Sequence, residues 1–276
     1  MPRLSIITIN LNNASGLGKT IESVIDQTFS DFEYIIIDGG STDGSMDVIR
    51  EFFGKITYWI SEPDGGIYNA MNKGILRAKG EYLHFLNSGD WLKDNNVYND
   101  IFRGNPNKDV VYGNLIKVYP DGACITDKGI QGKDITLFTM LNGNLNHPSS
   151  FIRKELFEKN GLYDENYKIV SDWKFFLQIF GINSASAQYI DRDICYFDMT
   201  GIGIVQKENL FNERQKVLEK LVPSPILSDY EKYGKEITWI YMIKENRLAS
   251  LLFRITKKVL IWTQRADNKR HWKFFL

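Results

Sequence analysis

Uninterrupted apolar runs alternate with amphipathic stretches through the first hundred residues of the chain. "LSIITIN", "EYIIIDGG" and "EYLHFLN" are of strand length and apolar along most of their course, the pattern of strands buried on both faces. Between them, "LGKTIESVIDQ", "SMDVIREFF" and "GIYNAMNKGILRA" space their apolar residues at helical intervals, and "ITYWISE" reads as extended. Short buried strands separated by amphipathic helices predict βα units on a mostly parallel sheet. Ligands of such sheets gather outside the carboxyl ends of the strands. That rule places Asn10, Asn12, Asp38, Glu62, Asp64 and Asp90 along one rim.

From about residue 105 the pattern loosens. "DVVYGNLIKVY" and "SAQYIDRDICYFDM" predict strands, and "GNPN", "PDG" and "NGNLNHPSS" predict turns or loops. "SDWKFFLQIF" predicts a helix begun by Ser171, with Asp172 in its first turn. The composition shifts after Pro223 and Pro225, so a boundary is expected there, with one domain over residues 1–222 and a helical, basic-aromatic extension over 223–276. In the extension Leu248, Leu251, Leu252, Ile255, Val259 and Trp262 fall within an arc of about 100° on a 3.6-residue helix. Arg247, Arg254, Lys257, Lys258 and Arg265 flank that stripe, and "KRHWKFFL" mixes bases with rings. A core-packing helix and an interfacial membrane anchor with snorkelling bases both fit this pattern; Trp272, Phe274 and Phe275 beside Lys269, Arg270 and Lys273 favour the anchor.

Composition narrows the partners. The 276 residues carry 34 Lys plus Arg against 34 Asp plus Glu, so net charge offers nothing to a nucleic acid. Two cysteines, Cys124 and Cys195, make no disulfide framework and suit a reducing cytosol. The N-terminal "MPRLSIITINLNN" lacks the apolar core and cleavage site of a signal peptide, and no apolar run reaches the roughly 18 residues that cross a bilayer. A cytoplasmic protein, with the inner face of the cytoplasmic membrane as a second address, is expected.

Two turns carry the candidate chemistry. "IIIDGGSTDGSMDVI" puts Asp38 at a strand end, then a Gly-Gly turn where a backbone can approach a ligand closely, then a helix N-terminus that favours an anion. It lacks the GxGxxG spacing of a dinucleotide fingerprint. "FLNSGDW" ends a buried strand on a single carboxylate, Asp90, beside Asn87, Ser88 and Gly89.

In this order the motifs resemble those of the family-2 inverting glycosyltransferases, which have a GT-A fold: a Rossmann-like, mostly parallel sheet flanked by helices. The resemblance is carried by "LSIITINLNNASGLGKTIESVIDQTFSDFEYIIIDGGSTDGS", "EPDGGIYNAMNKGILRAKGEYLHFLNSGDW" and "NHPSSFIRKELFEKNGLYDENYKIVSDWKFFL", over about three quarters of the chain. It implies that Asn10, Leu11 and Asn12 line the nucleotide base, with Leu11 where the family has an aromatic residue. Asp38 matches the first acid of the family's pair, and Gly39 replaces the second, a usual contact to uracil. Asp64 and Gly65 match positions that approach the nucleotide, and Asn72 matches a family asparagine that either packs or touches ligand.

"FLNSGDW" stands where the family has its DxD-type motif, with Asn87 and Gly89 in place of two acids and Asp90 retained. The resemblance therefore implies Mg or Mn at Asp90, bridging the donor's diphosphate. A hard cation that keeps several waters can be held by one carboxylate together with phosphate oxygens. Asp172 matches the family's general base, with Ser171 replacing a glutamate, and His147 matches a histidine near the phosphates or acceptor. The implied reaction is inverting transfer of a sugar from a UDP- or GDP-sugar to a saccharide acceptor, a lipid-linked one included, as in bacterial surface polysaccharide biosynthesis. A single displacement needs one base on the acceptor side and charge stabilisation on the leaving side. The thinned acid motif leaves a non-catalytic sugar-nucleotide or saccharide-binding module as the rival. A nucleotidyltransferase would want bases in "NLNNASGLGK" that are scarce there.

Overall fold

The computed structural model describes residues 1–131, 134–199 and 207–266, with the side chains of 207–208, 245, 260 and 262–266 left out. The chain divides into two compact units, 1–217 and 218–276. The terminal "KRHWKFFL" rings and bases, and the Trp262 and Arg265 side chains, lie outside what is described.

The first unit is built on one sheet. Strands β1 (Leu4–Asn10), β2 (Phe32–Asp38), β3 (Tyr58–Ser61) and β4 (Tyr82–Phe85) pair in parallel in the order β3-β2-β1-β4. Every residue of β1 is buried, as its unbroken apolar run requires of a central strand covered on both faces. Helices α1 (Ala14–Ile25), α2 (Ser45–Glu51) and α3 (Ile67–Arg77) are the crossovers. Leu17, Ile21 and Val24 of α1 join Leu4, Ile6, Tyr34 and Ile36 in one core cluster. On the other face α3 lies so close to β1 that a Cβ at Gly74 would come 2.5 Å from Ile7 Cγ2.

Beyond β4 comes a reversed strand. The segment read as loop, "NGNLNHPSS", ends in β8 (Ser150–Arg153), antiparallel to β4. Only four residues long and preceded by polar turn residues, it carries too little periodicity to stand out. Its start lies beside the carboxyl end of β4, so the turn at His147–Ser149 is delivered to the same rim as Asn87 and Asp90. The sheet continues through β6 (Val110–Val118) and β9 (Ala187–Asp198) to β5 (Trp91–Leu92), with β7 (Cys124–Asp127) beside β6. Helices α4 (Val97–Phe102), α5 (Leu137–Asn142) and α6 (Lys154–Asn160) fill the connections.

The expected helix over 171–180 is present but broken. α7 covers Ser171–Phe176 and passes into a π-type turn over Leu177–Ile182. Ser171 does not cap it: the capping position is Val170, and the Ser171 hydroxyl is buried without a partner. α8 (Lys207–Leu221) runs across the division of the units and ends just before Pro223, where the sequence places its boundary. In the second unit α9 (Ser224–Glu245) and α10 (Arg247–Ala266) are separated only by Asn246.

Candidate active site

The carboxyl ends of β1, β2 and β3 are tied together by one carboxylate. Asp38, inaccessible to solvent, accepts from Asn10 Nδ2 at 2.7 Å, Ser41 Oγ at 2.6 Å and Ser61 Oγ at 2.6 Å. It also accepts from the backbone N–H groups of Ser41 at 2.9 Å and Gly40 at 3.2 Å. Burial pushes its pKa up, but these bonds together outweigh burial and hold the carboxyl below its usual range. Asp38 is thus the knot that shapes the Gly-Gly turn.

The start of α2, expected to receive an anion, is filled from within, and so is the start of α1. Asp43 accepts from Ala14 N at 2.8 Å, opening α1, and from Ser45 N at 3.1 Å and Oγ at 2.6 Å, opening α2. Asn13 caps α1 through Gly16 N. Asn12, in the left-handed region at φ 50°, receives Thr42 N on Oδ1 at 2.8 Å and donates its own N–H to Ser41 Oγ. One carboxylate therefore serves both helix starts at once, an arrangement that sequence spacing does not show.

Three positions read for the nucleotide do come together. A Cβ at Gly39 would stand 2.6 Å from Asp64 Oδ2 and 3.3 Å from Leu11 Cδ1. The Asp64 carboxylate, carried on the turn after β3, therefore occupies the space a side chain at 39 would need. Its other oxygen accepts from Gly66 N at 2.9 Å. Leu11 is 58% exposed beside it, an apolar surface open to the solvent. Gly65 N donates to Asn69 Oδ1. Asn72 is committed elsewhere: its amide holds Tyr163 N, Tyr163 O and Glu165, bracing α3 against the loop after α6.

At the end of β4, Asp90 is 5% exposed, and burial pushes its pKa up to about 8. The N–H of Asp198, the last residue of β9, reaches Asp90 Oδ1 at 3.2 Å and pulls the pKa down, while the Asp198 charge pushes it up. Asn87 Oδ1, in the same turn, is buried without a partner, as is Asn10 Oδ1 at the end of neighbouring β1. Lys19 lies over the Trp91 ring, 2.9 Å from its centre; burial lowers its pKa and Asp198 raises it. Trp91 stacks on Tyr196 at 4.8 Å. Asp198 and Lys19 went unnoticed in the sequence because β9 and α1 meet β4 only through the sheet order.

No group of three or more His, Cys, Asp or Glu able to hold a metal exists among the described residues. The donors that are present, the Asp90 carboxylate and the orphaned Asn87 carbonyl oxygen, are hard oxygens. They suit Mg or Mn bringing phosphate and water as its other ligands, rather than a cage made of protein alone.

Asp172 opens α7, and its Oδ1 accepts from Tyr68 OH at 2.9 Å. Tyr68 lies in the first turn of α3, four residues after Asp64, so one loop-helix junction serves both places. Burial, and then the Asp172 charge, raise the Tyr68 pKa well above its ordinary value. The Tyr68 hydroxyl therefore remains a donor to the carboxylate. His147 is buried among Phe85, Tyr163 and Phe176, with Nε2 2.7 Å from Tyr163 OH. Burial lowers its pKa, and Asp172 raises it.

Comparison with known proteins identifies the family and the fold. The description "Glycosyl transferase family 2" matches residues 5–160. The chain belongs to that family. An uncharacterized glycosyltransferase of Mycobacterium tuberculosis is 34% identical over 205 residues, covering 73% of this chain and 77% of its own. A PGL/p-HBAD biosynthesis glycosyltransferase of Mycobacterium bovis is 31% identical over 222 residues, covering 76% and 83%. Among solved structures, Staphylococcus aureus TarS 1-349 in complex with UDP superposes with TM-score 0.59 at 20% identity, over 71% of this chain and 60% of that one. The mannosyltransferase PcManGT of Pyrobaculum calidifontis, in complex with GDP-Man and Mn2+, gives 0.62 at 15% identity, over 94% and 81%. The fold is GT-A, and the chain is a glycosyltransferase, which sets aside the non-catalytic binding module.

Proposed function

We propose that this glycosyltransferase moves a sugar, with inversion, from a nucleoside-diphosphate donor onto a hydroxyl of a saccharide acceptor. The observation that carries this reading is the single carboxylate of Asp172, held by Tyr68 at the start of α7. In one displacement Asp172 takes the proton of the acceptor hydroxyl as that oxygen bonds to the anomeric carbon. The bond to the diphosphate breaks, and its electron pair leaves with the phosphate oxygen. Tyr68 orients the carboxylate for this and leaves its second oxygen free of that bond.

On the donor side, Leu11 offers the base an apolar face and Asp64 Oδ2 offers an acceptor for a base N–H, filling the place left by Gly39. Asn10, Asn12 and Asp38 hold the turns on which those groups stand. The donors bound by the structural neighbours, UDP, UDP-GlcNAc and GDP-Man, set the range to test. Mg or Mn, held by Asp90 with Asn87 beside it, would neutralise charge on the leaving diphosphate. His147, enclosed by rings, supports the acceptor side through Tyr163.

The acceptor in this reading is lipid-linked, and the second unit supplies the surface for it. No helix among the described residues is long and apolar enough to cross a membrane. The twenty residues of α10 contain no acid, and Leu248, Leu251, Leu252, Ile255 and Val259 are all exposed. An apolar stripe flanked by charges that are all basic suits anionic headgroups. Like charge on every copy opposes pairing of this helix with itself.

The deciding experiment is a donor panel of UDP- and GDP-sugars, assayed by nucleotide release with and without Mn²⁺, with the anomeric configuration of the product read by NMR. Release that requires a saccharide acceptor, with an inverted anomeric centre, is expected. A product of retained configuration would overturn the single displacement.

A further inference from the structure

Helix α7 carries Asp172 but cannot fix its own beginning. Its capping position is Val170, whose side chain has nothing to accept with, and Ser171 Oγ makes no bond. The N–H groups of the turn that leads into it are taken up from another part of the chain. Glu213 of α8 accepts from Lys168 N at 2.9 Å, Ile169 N at 3.0 Å and Val170 N at 3.3 Å, across 43 residues in the last case. Three successive N–H groups converging on one carboxylate form a nest closed by a side chain.

The next residue of α8 packs on Trp173, the residue that follows Asp172. Arg214 lies over the Trp173 ring, 4.6 Å from its centre. Trp173 is itself fixed by donating Nε1–H to Met140 O at 3.1 Å. Arg214 Nε is buried with no hydrogen-bond partner. Burial lowers the Arg214 pKa, and the charge of Asp172 opposes that. A half-buried cation left short of a hydrogen bond is costly to keep unless its charge is used. The charge that acts on it here is that of Asp172.

We infer that Glu213 and Arg214 of α8 are positioning residues for Asp172: Glu213 fixes the turn that aims the carboxylate, and Arg214 steadies its charge. The inference rests on the reading of Asp172 as the base. Neither residue touches the reacting atoms. Tyr68 from α3 bonds Asp172 directly, while α8 bonds the turn before it and packs on Trp173 after it. The acceptor-side geometry is therefore completed by a helix that lies outside the segment matched to the family.

The test is kinetic, on the full chain, with the donor and acceptor found by the panel. Glu213→Gln and Arg214→Gln should lower kcat about tenfold or more, since a small misplacement of a base is felt strongly in rate, and leave the donor KM within about twofold. Arg214→Lys, which keeps charge but loses the flat stack, should recover part of kcat and serves also if Arg214→Gln does not fold. In an Asp172→Asn background, Arg214→Gln should add almost nothing, because residues acting through one group are not additive. Wild-type kcat in Glu213→Gln and in whichever Arg214 variant folds, with Asp172→Asn inactive, would overturn the clamp and leave the base reading intact. So would full additivity in the double variant. An active Asp172→Asn would sink the base reading itself.

Discussion

Asp90 is a carboxyl that burial keeps protonated, and this makes the stability of the protein depend on pH in an unusual direction. Its pKa lies near 8, against about 3.9 for an unfolded aspartate. Between those values the folded chain holds one proton more than the unfolded chain. The linkage slope is then negative, and stability falls as pH rises, by about 1.4 kcal/mol per pH unit. From pH 5.5 to 7.5 Asp90 should therefore cost the fold about 2–3 kcal/mol. Asp90→Asn keeps the shape and needs no proton, so the difference in stability between wild type and variant should drift by that amount across the window. Urea unfolding at several pH values in EDTA reads it directly. Mn²⁺ competes with the same proton, so it should raise the wild-type midpoint more at pH 7.5 than at 5.5 and do little for the variant. Parallel pH profiles of the two proteins in EDTA would refute the buried, protonated carboxyl.

Four other outcomes are expected. Asp172→Asn should lower kcat by about 10²–10⁴-fold while donor affinity, read by calorimetry, changes little. Asp64→Asn should weaken the preferred donor by about tenfold and change the ranking of UDP- against GDP-sugars, because an amide both donates and accepts where the carboxylate only accepts. Gly74→Ala should destabilise the first unit by about 1–3 kcal/mol in denaturant, since its new methyl meets the stiff Ile7 side chain. Removal of 247–276 should abolish co-sedimentation with anionic vesicles at low salt, and the full chain should lose that binding at high salt. Binding by the truncated protein would place the lipid contact elsewhere.

The strand ends were legible because their signal is local. Continuous apolar runs such as "LSIITIN" and "EYIIID" stop abruptly at Asn10 and Asp38, and the parallel arrangement follows from the helices between them. Other features depend on residues far apart in the chain. Asp38 looks like a ligand contact in sequence, yet Ser41, Ser61 and Asn10 enclose it, and only the register of three strands brings Asn10 and Ser61 to it. Asp198 meets Asp90 across 108 residues, and Glu213 meets Val170 across 43. Both pairings depend on sheet order or helix docking, which hydrophobic periodicity does not encode. The break of α7 into a π-type turn escaped because an apolar run such as "FFLQIF" fits either winding.

The reversal of β8 has a consequence for how this protein can diversify. Because β8 runs against β4, its leading turn enters at the edge where the first four strands end, and the chain needs no long crossover to return there. Everything that meets the donor in the proposed reading precedes residue 91, with Asp198 behind Asp90. Apart from Tyr68, everything around Asp172 follows residue 139. The two halves meet through the strand pairs Tyr82–Arg153, Leu83–Ile152 and His84–Phe151 of β4 and β8, through Trp91–Tyr196 and Leu92–Cys195 of β5 and β9, and through Tyr68 and Asn72 of α3. A chimera cut between β5 and β8 could therefore inherit its donor from one parent and its acceptor from another. Recombination at that cut offers a route by which such enzymes exchange one specificity without rebuilding the other.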